Sequence, residues 1–170
     1  MGVISNGTTL LDAGSLDSGV ATGDIVLITT VTASSSANLD FTSGINSTYK
    51  EYIFKYINIH PASVAQLTVN FRDGGSDFDA TKTTTAINPY NNENGTDAGV
   101  VYRQAWDLAQ STSDQIIAQE LGNGSDESAS GFMYLYEPAN TSKVKHFIGT
   151  TNYYQQFGAT GSFGVQYGGY

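Results

Sequence analysis

The side chains that most often carry acid–base or nucleophilic chemistry are scarce in this chain. It has two histidines, His60 and His146, and no cysteine. A serine–histidine–aspartate triad is defined by geometry, and neither histidine stands in a pattern that indicates one. Without cysteine, disulfides, thiolate zinc sites and cysteine nucleophiles are excluded. We predict that both histidines are hydrogen-bonded strand residues.

Paired carboxylates are the second source of chemistry to consider, because glycosidases use two of them. The candidates are Glu120, Asp126, Glu127 and Glu137. Most stand in or beside turns rich in Gly and Ser, where they need no role beyond solubility. No glycine-rich phosphate loop joins a strand to a helix. The sequence predicts no catalytic residue and no cofactor.

The segment DGGSDFD offers oxygen ligands to a cation. Asp73, Asp77 and Asp79 lie close together in it, as calcium-binding loops require. Their spacing is not that of an EF-hand, and Asp and Gly are equally typical of hairpin loops. We predict an ordinary loop and no metal site, with calcium as the alternative.

Tyrosine is abundant, and two interpretations of it stay open. The tyrosines either build an exposed surface for sugar stacking or subunit contact, or merely cover a half-buried sheet face. The residues concerned are Tyr52, Tyr56, Tyr153, Tyr154, Tyr167 and Tyr170.

Charge narrows the choice of partners. The 170 residues include 7 Lys and Arg against 16 Asp and Glu, for a net charge of −9. Nucleic-acid binding needs cations that neutralise phosphates, so we predict no nucleic-acid partner. The same charge disfavours anionic membranes, and no apolar run reaches the roughly 18 residues of a spanning helix. The opening MGVISNGTTLL lacks the basic and apolar regions of a signal peptide.

The elements that must position these residues are predicted to be strands. β-branched and aromatic residues alternate with polar ones, and turn signals recur every eight to fifteen residues, as in an antiparallel β-sandwich. For residues 104–121 a helix is the alternative to the favoured strands. Loops are expected at 73–79 and 87–99. The predicted strands are 24–33, 37–42, 49–60, 65–72, 100–105, 113–120, 131–137, 143–151 and 162–166.

The segment YKEYIFKYINIH, residues 49–60, is the most informative of these strands. Ile53, Ile57 and Ile59 share one face with Lys55, while aromatic residues occupy the other. We predict a central strand with its aliphatic face inward and its amphipathic aromatics on a second surface. Pro61 ends the strand because proline cannot donate to the ladder.

Residues 1–23 are interpreted as an extended N-terminal arm and residues 24–170 as a single β-sandwich domain. LDAG and LDSG, at 11–14 and 16–19, form a short repeat of turn residues in the arm. The arm is either an ordered lead-in to the first strand or a segment that packs on a neighbouring subunit.

Several segments together resemble virion structural proteins of tailed phages, especially those of marine and cyanobacterial hosts. The most specific is FTSGINSTYKEYIFKYINIHPAS, residues 41–63. The resemblance extends over nearly the whole chain, through ISNGTTLLDAGS (4–15), DLAQSTSDQII (107–117), GNGSDESASGFMYLYEPANTSKVKHFIGTTNYY (122–154) and the final GY pair.

This resemblance implies a jelly-roll-like β-sandwich on the virion surface, assembled in the cytoplasm of the bacterial host, with assembly rather than catalysis as its work. The favoured role is an outer capsid decoration or cement protein, a homo-oligomer in contact with the major capsid protein or other virion proteins. The alternative is a tail-fibre or tail-tip module that binds host surface glycans through tyrosines and Trp106. An enzyme such as a glycan depolymerase is the third hypothesis.

Overall fold

The computed structural model describes residues 2–5, 7–12, 15–16, 25–156 and 160–170. The chain divides into two compact units, Met1–Thr32 and Ala33–Tyr170. The predicted boundary between residues 23 and 24 lies outside the described residues, as does much of the predicted arm.

The first unit contains a small antiparallel sheet of three strands. These are β1 (Val3–Ser5), β2 (Thr8–Asp12) and β3 (Ser15–Leu16), in the order β1-β2-β3. Gly7, between β1 and β2, has a φ of 80°, which glycine adopts without steric cost.

The predicted strand 24–33 is wrong over its described part. Residues 25–33 belong to no strand and are exposed throughout, although their β-propensity is high. Strand propensity is realised only when a side chain packs on a pleated surface and the backbone finds a partner, and no described strand pairs with this segment.

The second unit is an antiparallel sheet of eight strands, which confirms the all-β, antiparallel prediction. Six strands follow the order β4-β9-β10-β11-β6-β7, and β5 pairs β8, which joins β10 through Leu121 and Gln155. A 3-10 turn at Gln104–Trp106 is the only helical element of the described residues. The strands are β4 (Glu51–Ile59), β5 (Ala65–Val69), β6 (Thr84–Asn92), β7 (Ala98–Tyr102), β8 (Gln115–Leu121), β9 (Ala129–Tyr136), β10 (Phe147–Gln155) and β11 (Gly161–Gly169).

Two further predictions need correction. Residues 37–42 form no strand, and residues 87–92, predicted as a loop, complete β6. The Asn and Pro residues of β6 look like turn chemistry, but the sheet accommodates them. Asn88 is buried and donates from Nδ2 to the Gly164 carbonyl at 2.5 Å, so its amide is satisfied inside the sheet.

β4 is confirmed as a strand, but it lies at an edge and its two faces are reversed. Tyr52, Phe54 and Tyr56 face the core, whereas Ile53 and Lys55 lie on the opposite side. The aromatic side chains face the core because there is space for them on that side. Tyr56 stands opposite Gly131 of β9, where a Cβ atom would lie 2.6 Å from the Tyr56 hydroxyl. The absence of a side chain at Gly131 leaves space for the phenol.

The core lies on one face of the six-strand sheet, which we call the inner face. It combines alternate residues of β9, β10 and β11 with residues of β8 and with Trp106 in a single cluster. The largest members are Tyr52, Trp106, Leu121, Met133, Phe147, Tyr153, Phe163 and Tyr167.

Candidate interaction surface

The opposite side of the six-strand sheet, called the outer face here, carries a column of aromatic side chains along β9. Phe132, Tyr134 and Tyr136 occupy alternate positions, so they point the same way. The ring centroids of Phe132 and Tyr134 lie 5.5 Å apart in an edge contact, and those of Tyr134 and Tyr136 lie 6.1 Å apart and nearly parallel. Phe132 is 38% exposed.

Cross-strand register extends this column into an apolar surface. Tyr134 stands between Ile53 of β4 and Ile148 of β10, and Ile148 is 55% exposed. Side chains on one face of an antiparallel pair interact directly, so these three form a continuous row. Further along the sheet, Ile87 of β6 is paired with Tyr102 of β7, and both are exposed.

The outer face is also almost free of charge. β6, β7, β9, β10 and β11 contain no Lys, Arg, Asp or Glu. Only Glu51 and Lys55 of β4 bring charge to this sheet's six strands. Both lie on the outer face, where Glu51 is paired with Tyr136 and Lys55 with Phe132. In a chain with a net charge of −9, a sheet face with only two charged residues and with exposed aliphatic and aromatic groups is typical of a contact surface.

For most of the six tyrosines whose role the sequence left open, the structure favours coverage of a sheet face over an exposed surface. Tyr52, Tyr153 and Tyr167 are buried in the core, Tyr154 is half-buried, and Tyr170 is exposed. The true aromatic surface is the β9 column. The alternation FMYLY in residues 132–136 carries that signal, but a period of two does not say which set of residues faces outward.

Tyr56 and Tyr167 meet on the inner face. The Tyr56 hydroxyl donates to the Thr150 carbonyl at 2.9 Å and lies 2.6 Å from Thr151 Oγ1 and 3.2 Å from the Tyr167 hydroxyl. Burial raises the pKa of both phenols, and the proximity of Tyr56 adds to the rise in the pKa of Tyr167. These hydrogen bonds join β4, β10 and β11 on the inner face.

The histidines and carboxylates form no reactive pair within the described residues. His60 Nε2 lies 2.9 Å from the Gly124 carbonyl, and the His146 ring contacts Tyr170. Glu127 accepts a hydrogen bond from the Gly124 amide at 2.6 Å. The Asn140 amide, with a smaller effect of Lys50, lowers the pKa of Glu137, the opposite of what a general acid needs.

Glu120 and Asp126 are the other two candidate carboxylates. Glu120 sits in β8 with a φ of 53°, at a local irregularity of the strand. Asp126 belongs to the turn between β8 and β9. The prediction that the chain is not an enzyme stays a prediction.

Asp73 and Asp77 are exposed, as is Asp79. Over residues 25–156 and the other described ranges, no three His, Asp or Glu side chains are grouped closely enough to hold a metal ion.

In the same described part of the chain, no helix is long and apolar enough to cross a membrane. Comparison of the chain with family models, with curated proteins and with solved structures gave no match.

Proposed function

We propose that this protein is a structural component of a tailed-phage particle, an outer capsid decoration or cement protein on the virion surface. One observation carries the proposal beyond the sequence resemblance: the outer face is almost free of charge and has Phe132, Tyr134 and Ile148 on it. Burying such a surface against the major capsid protein or another virion protein stabilises the assembled shell, because ligands that bind only the native state shift unfolding by mass action.

We also propose the finer architecture, a jelly-roll-like β-sandwich. The support is the core cluster, which combines β8 residues such as Ile117 and Leu121 with inner-face residues of the six-strand sheet. In that arrangement β5 and β8 belong to the second layer, and the outer face remains available to a partner.

The N-terminal arm is the second proposed contact. Val3 and Ile4 of β1 are 54% and 64% exposed, so this strand offers aliphatic side chains to a partner. Deletion of residues 1–20 is expected to lower the number of copies bound per particle. Full occupancy by the shortened chain would exclude the arm as a contact.

The alternative, a tail-fibre or tail-tip module that binds host glycans, is favoured by the same β9 column. Tyr134 and Tyr136 present nearly parallel rings, and sugars stack on aromatic faces. Trp106 is not part of the proposed glycan-binding surface, because it is buried and Arg103 lies over its ring at 4.9 Å.

The decisive experiment locates the chain on the particle. Purified virions are labelled with a gold-tagged antibody and imaged by electron microscopy. Gold over the head supports a decoration role, and gold confined to the tail supports the glycan-binding alternative. Virions without gold would contradict both.

A charge placed on the outer face tests whether that surface makes the contact. Ile148→Lys is expected to abolish incorporation into particles, because the buried ammonium would lack a partner. Gln66→Lys adds the same charge at an exposed position of β5 and is expected to leave incorporation unchanged. Equal incorporation of the two variants would contradict a role for the outer face.

A further inference from the structure

Residues 25–31, IVLITTV, have the composition of a strand but no strand partner among the described residues. Ile25 and Leu27 are 76% and 79% exposed, and Val26, Ile28 and Val31 are also exposed. Within the described part of the chain the segment joins no sheet. It has no charge and no proline, so nothing in it opposes pairing with another strand.

β7 provides a sheet edge with unpaired backbone groups. Arg103 N donates to Ala86 O at 3.0 Å, and Asn92 N donates to Asp97 O at 2.9 Å, on either side of the β6–β7 ladder. Antiparallel pairing alternates, so Ala98, Val100 and Tyr102 direct their N–H and C=O groups away from β6. All five residues of β7 are exposed, so no other described element covers this edge.

The other strands at an edge of the eight-strand sheet, β4 and β5, are less suitable for pairing. β4 contains Glu51 and Lys55, and its register shifts between Tyr56 and Ile59, where Asn58 has a φ of 52°. β5 shifts register twice against β8. Charges and bulges are the devices that protect sheet edges, whereas the pairing of β7 with β6 is uninterrupted and uncharged.

β7 is also held in place. Arg103, directly after it, donates from Nε to Asn88 Oδ1 at 2.9 Å, and Asn88 donates in turn to Gly164 O of β11. The Tyr102 hydroxyl bonds the Asp107 carboxylate. An edge fixed in this way loses little conformational freedom when a strand is added to it.

We propose that residues 25–31 of one copy of this chain add as a strand to the β7 edge of a second copy. A second copy is the partner that fits, because this chain contains both an uncharged, strand-forming segment without a described partner and an uncharged sheet edge without a described neighbour. The added strand extends the outer face beyond Val100 and Tyr102. This inference deepens the proposed assembly function, on which it rests, by naming the partner and the contact.

The test measures the oligomeric state of the full chain by analytical ultracentrifugation, and the protection of residues 25–31 by hydrogen exchange. Val100→Pro removes an N–H that β6 does not use and places the ring at the free edge. The double substitution Leu27→Pro and Ile28→Pro prevents residues 25–31 from pairing as a strand. Adjacent residues of a strand direct their N–H groups to opposite sides, so one of the two prolines removes a pairing N–H in either register. Each variant is expected to be monomeric, with loss of protection at residues 25–31.

Mixing supplies the sharper result. The Val100→Pro variant keeps an intact segment 25–31, and the Leu27→Pro, Ile28→Pro variant keeps an intact β7 edge. The mixture is therefore expected to form a heterodimer, although each variant alone is monomeric. Val144→Pro, at an exposed valine outside any strand, is the matched control and should associate as the unmodified chain does. Val100→Lys tests the same edge if the proline variant does not fold.

Several outcomes would overturn the proposal. These are a monomeric unmodified chain, association unaffected by both variants, and protection of residues 25–31 within a monomer, which would mean pairing with the chain's own edge. Failure here is distinct from failure of the proposed function. A chain found on virions that is monomeric in solution refutes only strand addition, and a strand-exchanged oligomer absent from virions refutes only the virion role.

Discussion

At the scale of single residues, the inner face depends on glycines that stand opposite tyrosines. Gly149 of β10 is paired with Tyr167 of β11, and a side-chain carbon at position 149 would overlap the Tyr167 ring. The ring fills the space that the glycine leaves, which accounts for a glycine inside a buried strand.

Gly149→Ala should therefore destabilise the fold. Overpacking of a filled core costs about 1–3 kcal/mol, and this change pushes against both a ring and the Phe132 carbonyl. Gly75→Ala is the control, since its nearest neighbour would be 3.8 Å away in an exposed loop. Urea unfolding of both variants measures the difference, and equal stability would contradict the packing described here.

The buried phenols Tyr56 and Tyr167 predict loss of stability in alkali. Their pKa values in the folded state are raised, so the folded state keeps protons that the unfolded state releases above about pH 10. Their contribution is complete below that pH and declines as the pH rises, by up to about 1.4 kcal/mol per pH unit for each phenol.

Tyr167→Phe isolates one of these contributions. The slope of unfolding free energy against pH, measured above pH 10, should be smaller in this variant than in the unmodified chain. Tyr170→Phe makes the same change at an exposed tyrosine and serves as the matched control. The same slope in all three proteins would show that the buried pair does not control alkaline stability.

At the scale of elements, the irregularity of β4 decides which isoleucines are buried. Simple alternation places Ile57 and Ile59 on one face. In the structure the register shifts after Tyr56, Ile57 is 71% exposed, and Ile59 packs against the core. Asn58 adopts the left-handed conformation that asparagine tolerates, and its backbone N–H donates to Ser130 Oγ at 3.0 Å.

Substitution of these two isoleucines by threonine checks the irregularity. Ile57→Thr should change stability by less than about 0.5 kcal/mol. Ile59→Thr should cost about 1–2 kcal/mol, because it removes half-buried apolar surface and places a hydroxyl against the core. Threonine keeps a β-branched side chain, so the difference between the variants reports burial rather than strand propensity. A greater loss at position 57 would contradict the register shift.

At the scale of the whole molecule, charge and contact surface are separated. The net charge of −9 resides outside five of the six main-sheet strands, and the proposed contacts, the outer face and the β7 edge, are almost free of charge. Two copies therefore repel each other at long range while their contact groups gain from burial and backbone pairing.

This separation predicts that salt strengthens self-association. The screening length falls from about 10 Å at 0.1 M salt to about 3 Å at 1 M, which weakens the repulsion between copies and leaves apolar contacts intact. Sedimentation at the two concentrations should show a lower dissociation constant at the higher one. Dissociation by salt would mean that ion pairs hold the copies together.

The sequence by itself determined the fold class and the type of most second-unit elements. Alternating β-branched and aromatic residues between Gly-rich and Asp-rich turns identify antiparallel strands, because that period matches the pleat. Strands β4, β5, β8 and β9 are predictable on this ground. Composition also identified an acidic chain without cysteine.

Only the tertiary structure decided which faces are buried and which strands have partners. Tyr56 faces the core because Gly131 leaves room for its phenol, a relation between residues distant in sequence. Residues 25–31 form no strand because pairing needs a neighbour, whatever the local propensity. The outer face has the same origin: alternation in β9 shows two sides, and long-range packing selects the one that remains exposed.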